Sequence, residues 1–121
     1  MDIEPLLNVV LEALDDLKAE NIKILNVEGI CSVADRLIIA TGNSSRHVKS
    51  IAKNVQDSAK TSGERPLGVE GEDTGEWILV DLGDIIVHIM QPQTREFYQL
   101  EKLWDTQGEI QSAEVQTLTN A

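Results

Sequence analysis

EWILVDLGDIIVHIM, residues 76–90, followed by QPQTREFYQLEKLW, residues 91–104, decides how the chain is read. The first part predicts a β-hairpin. Gly83-Asp84 supplies a two-residue turn of the Gly-X kind, which suits type II′ geometry. That turn sets a register in which Leu82 faces Ile85, Val80 faces Val87 and Ile78 faces Ile89. All six side chains are aliphatic, so their shared face is expected in the core. The opposite face carries Trp77, Leu79 and Asp81 on one strand and Met90, His88 and Ile86 on the other. A slip of one residue would mix the two sets, so the register is strongly specified. The second part predicts a helix with Pro92 in its first turn. Phe97, Leu100 and Trp104 share one stripe, joined by Leu103, and are expected in the core. Tyr98 falls to the side of that stripe, either as packing at the core's edge or as an interface anchor.

Working outward, residues 3 to 20 place Ile3, Leu6, Leu7, Val10, Leu14 and Leu17 at spacings of three and four, which predicts an amphipathic helix. Asp2 is a candidate cap, Pro5 is tolerated in a first turn, and Asn21 is expected to end the helix. Residues 22–27, IKILNV, alternate as a strand does. Residues 28–32 read as a connection. A second strand is expected over 33–41, where Leu37-Ile38-Ile39-Ala40 is apolar without a break, as in a strand buried on both faces. Gly42-Asn43-Ser44-Ser45 then opens a helix, with Ser44 or Ser45 as N-cap and Gly63 as its stop. Its buried stripe is Val48, Ile51, Ala52, Val55 and Ala59, while Arg46, Lys49, Lys53 and Lys60 make it the basic helix of an acidic protein. His47 is expected to face solvent. Residues 65–71 predict a short edge strand, because Pro66 cannot donate to a ladder, and 72–75 a turn. Residues 105–121, rich in Gln, Thr, Ser and Glu, are expected to be a flexible tail beyond a domain spanning 1–104. The order helix, strand, strand, helix, strand, hairpin, helix predicts an α/β (α+β) domain with a single mixed sheet of about five strands flanked by helices.

The 121 residues carry a formal net charge of −11, and 41% are hydrophobic. Such a charge is repelled by phosphate backbones, which argues against broad nucleic-acid binding and against direct sequence-specific reading of nucleic acid. It favours a basic partner, although solubility alone also accounts for it. Seven acids crowd residues 64–84 (Glu64, Glu70, Glu72, Asp73, Glu76, Asp81 and Asp84) against Arg65 alone. The hairpin therefore lies at the acidic pole. Its mixed face is either covered by a helix of the same chain or left open as a docking surface of aromatic, apolar and acidic character. The single cysteine, Cys31, forms no internal disulfide and has no metal-ligand set around it, which fits a reducing, cytoplasmic setting. No signal peptide and no membrane-spanning run are visible.

Catalytic readings are weak. Gly42–Ser45 is a candidate anion nest, but it lacks the Gly-Lys-Ser/Thr of a Walker loop and the repeated glycines of a dinucleotide fingerprint. A strand, a small Gly-Ser loop and a helix also resemble the start of a nucleotidyltransferase, which makes nucleotide binding at Gly42–Ser45 the alternative reading. Those enzymes hold magnesium with two carboxylates at alternate strand positions, whereas Asp81 and Asp84 are three apart and flank a turn. Asp81 and His88 are diagonal neighbours suited to orienting an imidazole, yet no nucleophile accompanies them.

Four blocks, DRLIIATGNSSRHV (35–48), PLGVEG (66–71), WILVDLGDIIVH (77–88) and REFYQLEKLW (95–104), in this order and spacing, closely resemble the ribosomal silencing factor family, also called RsfS or Iojap-related proteins. The resemblance covers about residues 3 to 104. It implies a nucleotidyltransferase-like fold without catalytic carboxylates, no enzymatic activity and no cofactor or metal. It implies binding to the large ribosomal subunit, chiefly through its ribosomal protein fourteen, so that the small subunit is sterically kept from joining and translation is repressed. A role in late assembly of the large subunit is also associated with the family. Carried over by position, the expected partner-binding residues are Glu70, Trp77, Asp81, His88 and Tyr98, with Leu79, Ile86 and Met90 as apolar support. Self-association through the same face, as a homodimer off the ribosome, is compatible with one exposed apolar patch.

Overall fold

The computed structural model describes residues 3–30, 34–100 and 102. The expected order of elements holds: α1 (Glu4–Asp16), β1 (Glu20–Asn26), β2 (Arg36–Thr41), α2 (Ser45–Thr61), β3 (Gly68–Glu70), β4 (Trp77–Asp81), β5 (Ile85–Met90) and α3 (Pro92–Tyr98). The five strands form one mixed sheet in the order β1-β2-β5-β4-β3. β2 and β5 run parallel, and the other neighbours are antiparallel. The hairpin has the expected register, with Val80 opposite Val87, Ile78 opposite Ile89, and Trp77, Leu79 and Asp81 opposite Met90, His88 and Ile86. Gly83 takes φ +92 in the turn, a region that glycine enters without a Cβ clash. β3 is an edge strand of three residues, as Pro66 implies.

Because side chains alternate across a strand, the sheet has two apolar layers. The inner layer joins Ile38, Ala40, Ile78, Val80, Leu82, Ile85, Val87 and Ile89 to α1 and α2. Leu7, Val10, Ala13 and Leu14 come from α1, and Val48, Ile51, Ala52, Val55 and Ala59 from α2. The outer layer holds Leu25, Val27, Leu37, Ile39 and Met90, flanked by Trp77, Ile86 and Leu100. β2 contributes to both layers, which explains its unbroken apolar run.

The helix ends show where local signals suffice. Both α1 and α2 close in the same way, with the first residue beyond the C-cap bonded back three residues and the next bonded back five. In α2 these bonds are Gly63 N to Lys60 O and Glu64 N to Ala59 O. In α1 they are Lys18 N to Asp15 O and Ala19 N to Leu14 O. Gly63 announces its stop, whereas Lys18 adopts φ 60 without being glycine. The first helix is therefore four residues shorter than the expected end at Glu20, and Asn21 lies in β1 rather than ending a helix. Ile3 is the N-cap of α1 with no side-chain cap, and the candidate cap Asp2 lies outside the described residues. Ser44 caps α2, its Oγ accepting from His47 N at 3.1 Å.

Two further expectations are corrected. α3 is only seven residues long, because Gln99 turns left-handed at φ 48. The expected stripe therefore breaks: Phe97 is 78% exposed, only Leu100 packs on the outer layer, and Leu103 and Trp104 lie outside the described residues. His47 is not simply solvent-facing. Asn43 N donates to its Nδ1 at 2.9 Å, so the neutral ring carries its proton on Nε2, which donates to Leu17 O at 2.7 Å. The imidazole thereby ties the loop before α2 to the end of α1.

Candidate functional site

The outer sheet face presents three transverse rows of side chains. Glu70, Leu79, His88, Ile39 and Lys23 cross the whole sheet in register. Trp77, Met90 and Thr41 form the row toward α3, and Asp81, Ile86 and Leu37 the row toward the hairpin turn. The expected site residues Glu70, Trp77, Leu79, Asp81, Ile86, His88 and Met90 thus share one face of three adjacent strands. Tyr98 joins them from α3, its ring centroid 4.9 Å from that of Trp77.

Their exposures differ, and the difference assigns them roles. Met90 is fully buried, so it supports the face from beneath. Trp77, Leu79, Asp81 and Ile86 are half-buried, and Glu70 is exposed. Tyr98 is 52% exposed and stands on the Trp77 ring, with Phe97 edge-on against it at 4.9 Å. Such tilted and edge-to-face pairs suit the positive edge and negative face of aromatic rings. The result is an aromatic ridge, Phe97-Tyr98-Trp77, beside the acidic β3–β4 region. Glu70, Glu72, Asp73 and Glu76 are exposed there, and none of the ion pairs among the described residues involves them.

Two local devices hold the ridge. Gly71 has φ +87, and a Cβ on it would collide with the carbonyl oxygen of Trp77, so only glycine lets the β3–β4 connection pass this close. Arg95 of α3 donates from Nη1 to Asn21 O at 2.6 Å and to Thr41 Oγ1 at 2.8 Å, fastening the short helix to β1 and β2. Neither device was read from the sequence. Exposure of Phe97 was also missed, since its spacing to Leu100 mimics a core stripe.

His88 and Asp81 do not meet. Trp77 Nε1 donates to His88 Nδ1 at 3.0 Å, while Asp81 Oδ1 accepts from Gly83 N at 2.9 Å and supports the turn. Of the two diagonal neighbours of His88, the indole is the one long enough to reach it. Burial lowers the imidazole from its usual 6.5 to about 4, so the ring is neutral near pH 7. A neutral His88 without an adjacent carboxylate is not poised for base catalysis.

The Gly42–Ser45 loop fares no better as a nucleotide site. Its Asn43 N–H is taken by His47, the Ser44 hydroxyl caps α2, and Ser45 Oγ donates to Thr74 O at 2.9 Å. Among the described residues, no group of three or more His, Cys, Asp or Glu is placed to hold a metal ion, and no helix is long and apolar enough to cross a membrane. Cys31 lies outside the described residues.

The family model described as "Ribosomal silencing factor during starvation" matches residues 1–121. The ribosomal silencing factor RsfS of Haemophilus influenzae is 48% identical over 99 residues, covering 82% of this chain and 97% of that protein. A crystal structure of a Chromobacterium violaceum protein superposes with a TM-score of 0.84 at 42% identity, covering 86% of this chain and 87% of that one. A more distant relative, the mouse "Mitochondrial assembly of ribosomal large subunit protein 1", is 30% identical over 101 residues, 81% of this chain and 44% of its own length. Sequence match along the whole length and a shared fold agree: the chain belongs to the ribosomal silencing factor family.

Proposed function

We propose that the chain docks on the large ribosomal subunit through ribosomal protein fourteen and occupies space that the small subunit needs. Subunit joining is then blocked sterically, and translation falls. No chemistry is required: the chain acts in the cytoplasm as a binding protein, not as an enzyme, and uses no cofactor. The observation that carries this reading is the exposed Phe97-Tyr98 pair seated on Trp77 beside acids that make no ion pair among the described residues. Large aromatic anchors rimmed by charge are what protein interfaces use, and an acidic rim suits a basic ribosomal protein. The contact set is Glu70, Trp77, Asp81, His88 and Tyr98, with Leu79 and Ile86 between them and Met90 below. The proposed docking domain spans residues 1–104.

The family name and the large-subunit relative from mouse support a ribosomal partner. The latter also favours a part in assembly of the large subunit. Off the ribosome, the same aromatic ridge would pair two copies of the chain, so dimerisation and docking would compete. The test is co-sedimentation of purified protein with large subunits. Trp77→Ala combined with Asp81→Lys should abolish it, and undiminished binding by that folded double variant defeats the assignment.

A further inference from the structure

On the outer face, one nitrogen of a mostly buried imidazole has no hydrogen-bond partner among the described residues. His88 is only 8% exposed. Its Nδ1 receives the indole hydrogen of Trp77. An indole nitrogen has no lone pair to offer, so it donates and Nδ1 accepts. The imidazole is neutral near pH 7 for the burial reason given above, and its one proton therefore sits on Nε2. Within the described residues that N–H has no acceptor. The in-register neighbours, Leu79 and Ile39, are aliphatic and cannot accept. A donor left unsatisfied on a ring this well buried is costly, and it stands among the residues assigned to docking.

We propose that His88 is a specificity-determining donor of the docking face, held by Trp77 in the Nε2–H tautomer so that it gives this hydrogen to a carbonyl oxygen of the bound protein. A carboxylate is disfavoured as acceptor, since Asp81 is a diagonal neighbour of His88 and Glu70 lies beyond Leu79 in the same row. A lysine or arginine opposite this point is rejected for a different reason: both ring nitrogens are committed, one as a filled acceptor and one as a donor. His88 thus selects by hydrogen-bond direction where the acidic rim selects by charge. Trp77 has a second role as the residue that positions it. This inference rests on the docking reading above.

The tautomer is tested first on the free protein. Two-bond proton–nitrogen correlation spectra of 15N-histidine-labelled protein should show His88 protonated on Nε2 and bare on Nδ1 between pH 6 and 8. A proton on Nδ1 overturns the inference. Binding is tested second, with isolated ribosomal protein fourteen. His88→Gln keeps an amide donor near the Nε2 position and should bind within a few-fold of wild type. His88→Met keeps the bulk but lacks a donor and should bind about 10- to 100-fold more weakly, a loss of about 1.4–2.8 kcal/mol. If the Met variant misfolds, the labelled wild-type protein still decides: its Nε2 resonance must shift on binding, and an unmoved resonance in the complex overturns the inference. Equal binding by wild type, Gln and Met variants also overturns it while leaving the docking reading intact. Failure of the wild type itself to bind removes the docking reading, and this inference with it.

Discussion

The two faces of the sheet come from the same strands, residue by residue, yet they are built to different ends. On the inner face Ile78, Val80, Val87 and Ile89 are fully buried beneath two helices. On the outer face the alternate positions hold an indole, an imidazole and a carboxylate, and the covering helix is seven residues long. The buried positions of the inner face are aliphatic and need no hydrogen bond. The outer face spends hydrogen bonds on orientation: Trp77 on His88, Asp81 on the turn, Arg95 on Thr41. The contrast teaches that a tightly packed apolar face and a polar, partly open face can be built on opposite sides of one sheet, and under the proposed function stability rests mainly on the first and docking on the second. Substitutions should separate them too.

The largest effect is expected inside. Ile89→Ala removes a fully buried side chain from between two helices and the sheet and should cost about 2–5 kcal/mol, read from urea unfolding. A cost below 1 kcal/mol would mean that the inner layer repacks freely and the comparison is false.

Next comes acid. The folded-state value of His88, about 4, lies below its ordinary 6.5, so the unfolded chain takes up the proton first as pH falls. The associated stability is complete above about 6.5 and is lost progressively down to about 4. The full loss is on the order of 3 kcal/mol. Comparing unfolding at pH 7.5 and 4.5 in wild type and His88→Gln isolates it, because the variant should lack that portion of the fall. Identical pH dependence in both proteins would show that the outer face does not bury its histidine.

A smaller cost, about 1–2 kcal/mol, is expected for His47→Ala, which leaves Asn43 N and Leu17 O without their imidazole partner. Docking should be unaffected, since this latch joins α1 to the α2 loop on the other side of the sheet. Smallest of all, Phe97→Ala should change stability by no more than about 0.5 kcal/mol because the ring is largely solvated. Its binding to large subunits should nonetheless weaken measurably, and that split sharpens the comparison most.

How much of this was legible in the sequence follows from the range of each interaction. The hairpin register rests on a two-residue turn and period-two alternation, both local, and it was read correctly to the residue. Ser44, Gly63 and Pro66 likewise act within a few residues of themselves. What escaped depends on partners far along the chain. His47 reaches Leu17, thirty residues away, although its place in the first turn after Asn43 was a usable hint. Lys18 ends α1 in a conformation that its side chain does not advertise. The length of α3 was overestimated because Phe97, Leu100 and Trp104 keep helical spacing beyond Gln99, where the backbone turns left-handed. At the candidate site, Glu70 and Tyr98 came from the family resemblance, whereas the hairpin face with Trp77, Leu79, Asp81, Ile86, His88 and Met90 was legible from alternation. The pairing of His88 with Trp77 rather than Asp81 was not, because both are diagonal neighbours in the same register and only side-chain reach decides between them.

The role proposed for the outer face, with its aromatic ridge, is to keep the ribosomal subunits apart. A sucrose-gradient joining assay with separated subunits, purified protein and no added nucleotide tests it most directly. Wild type should reduce the joined-ribosome peak and migrate with the large subunit, while the folded Trp77→Ala, Asp81→Lys variant should do neither. An undiminished joined peak with wild-type protein in excess, or full activity of the double variant, would contradict the account.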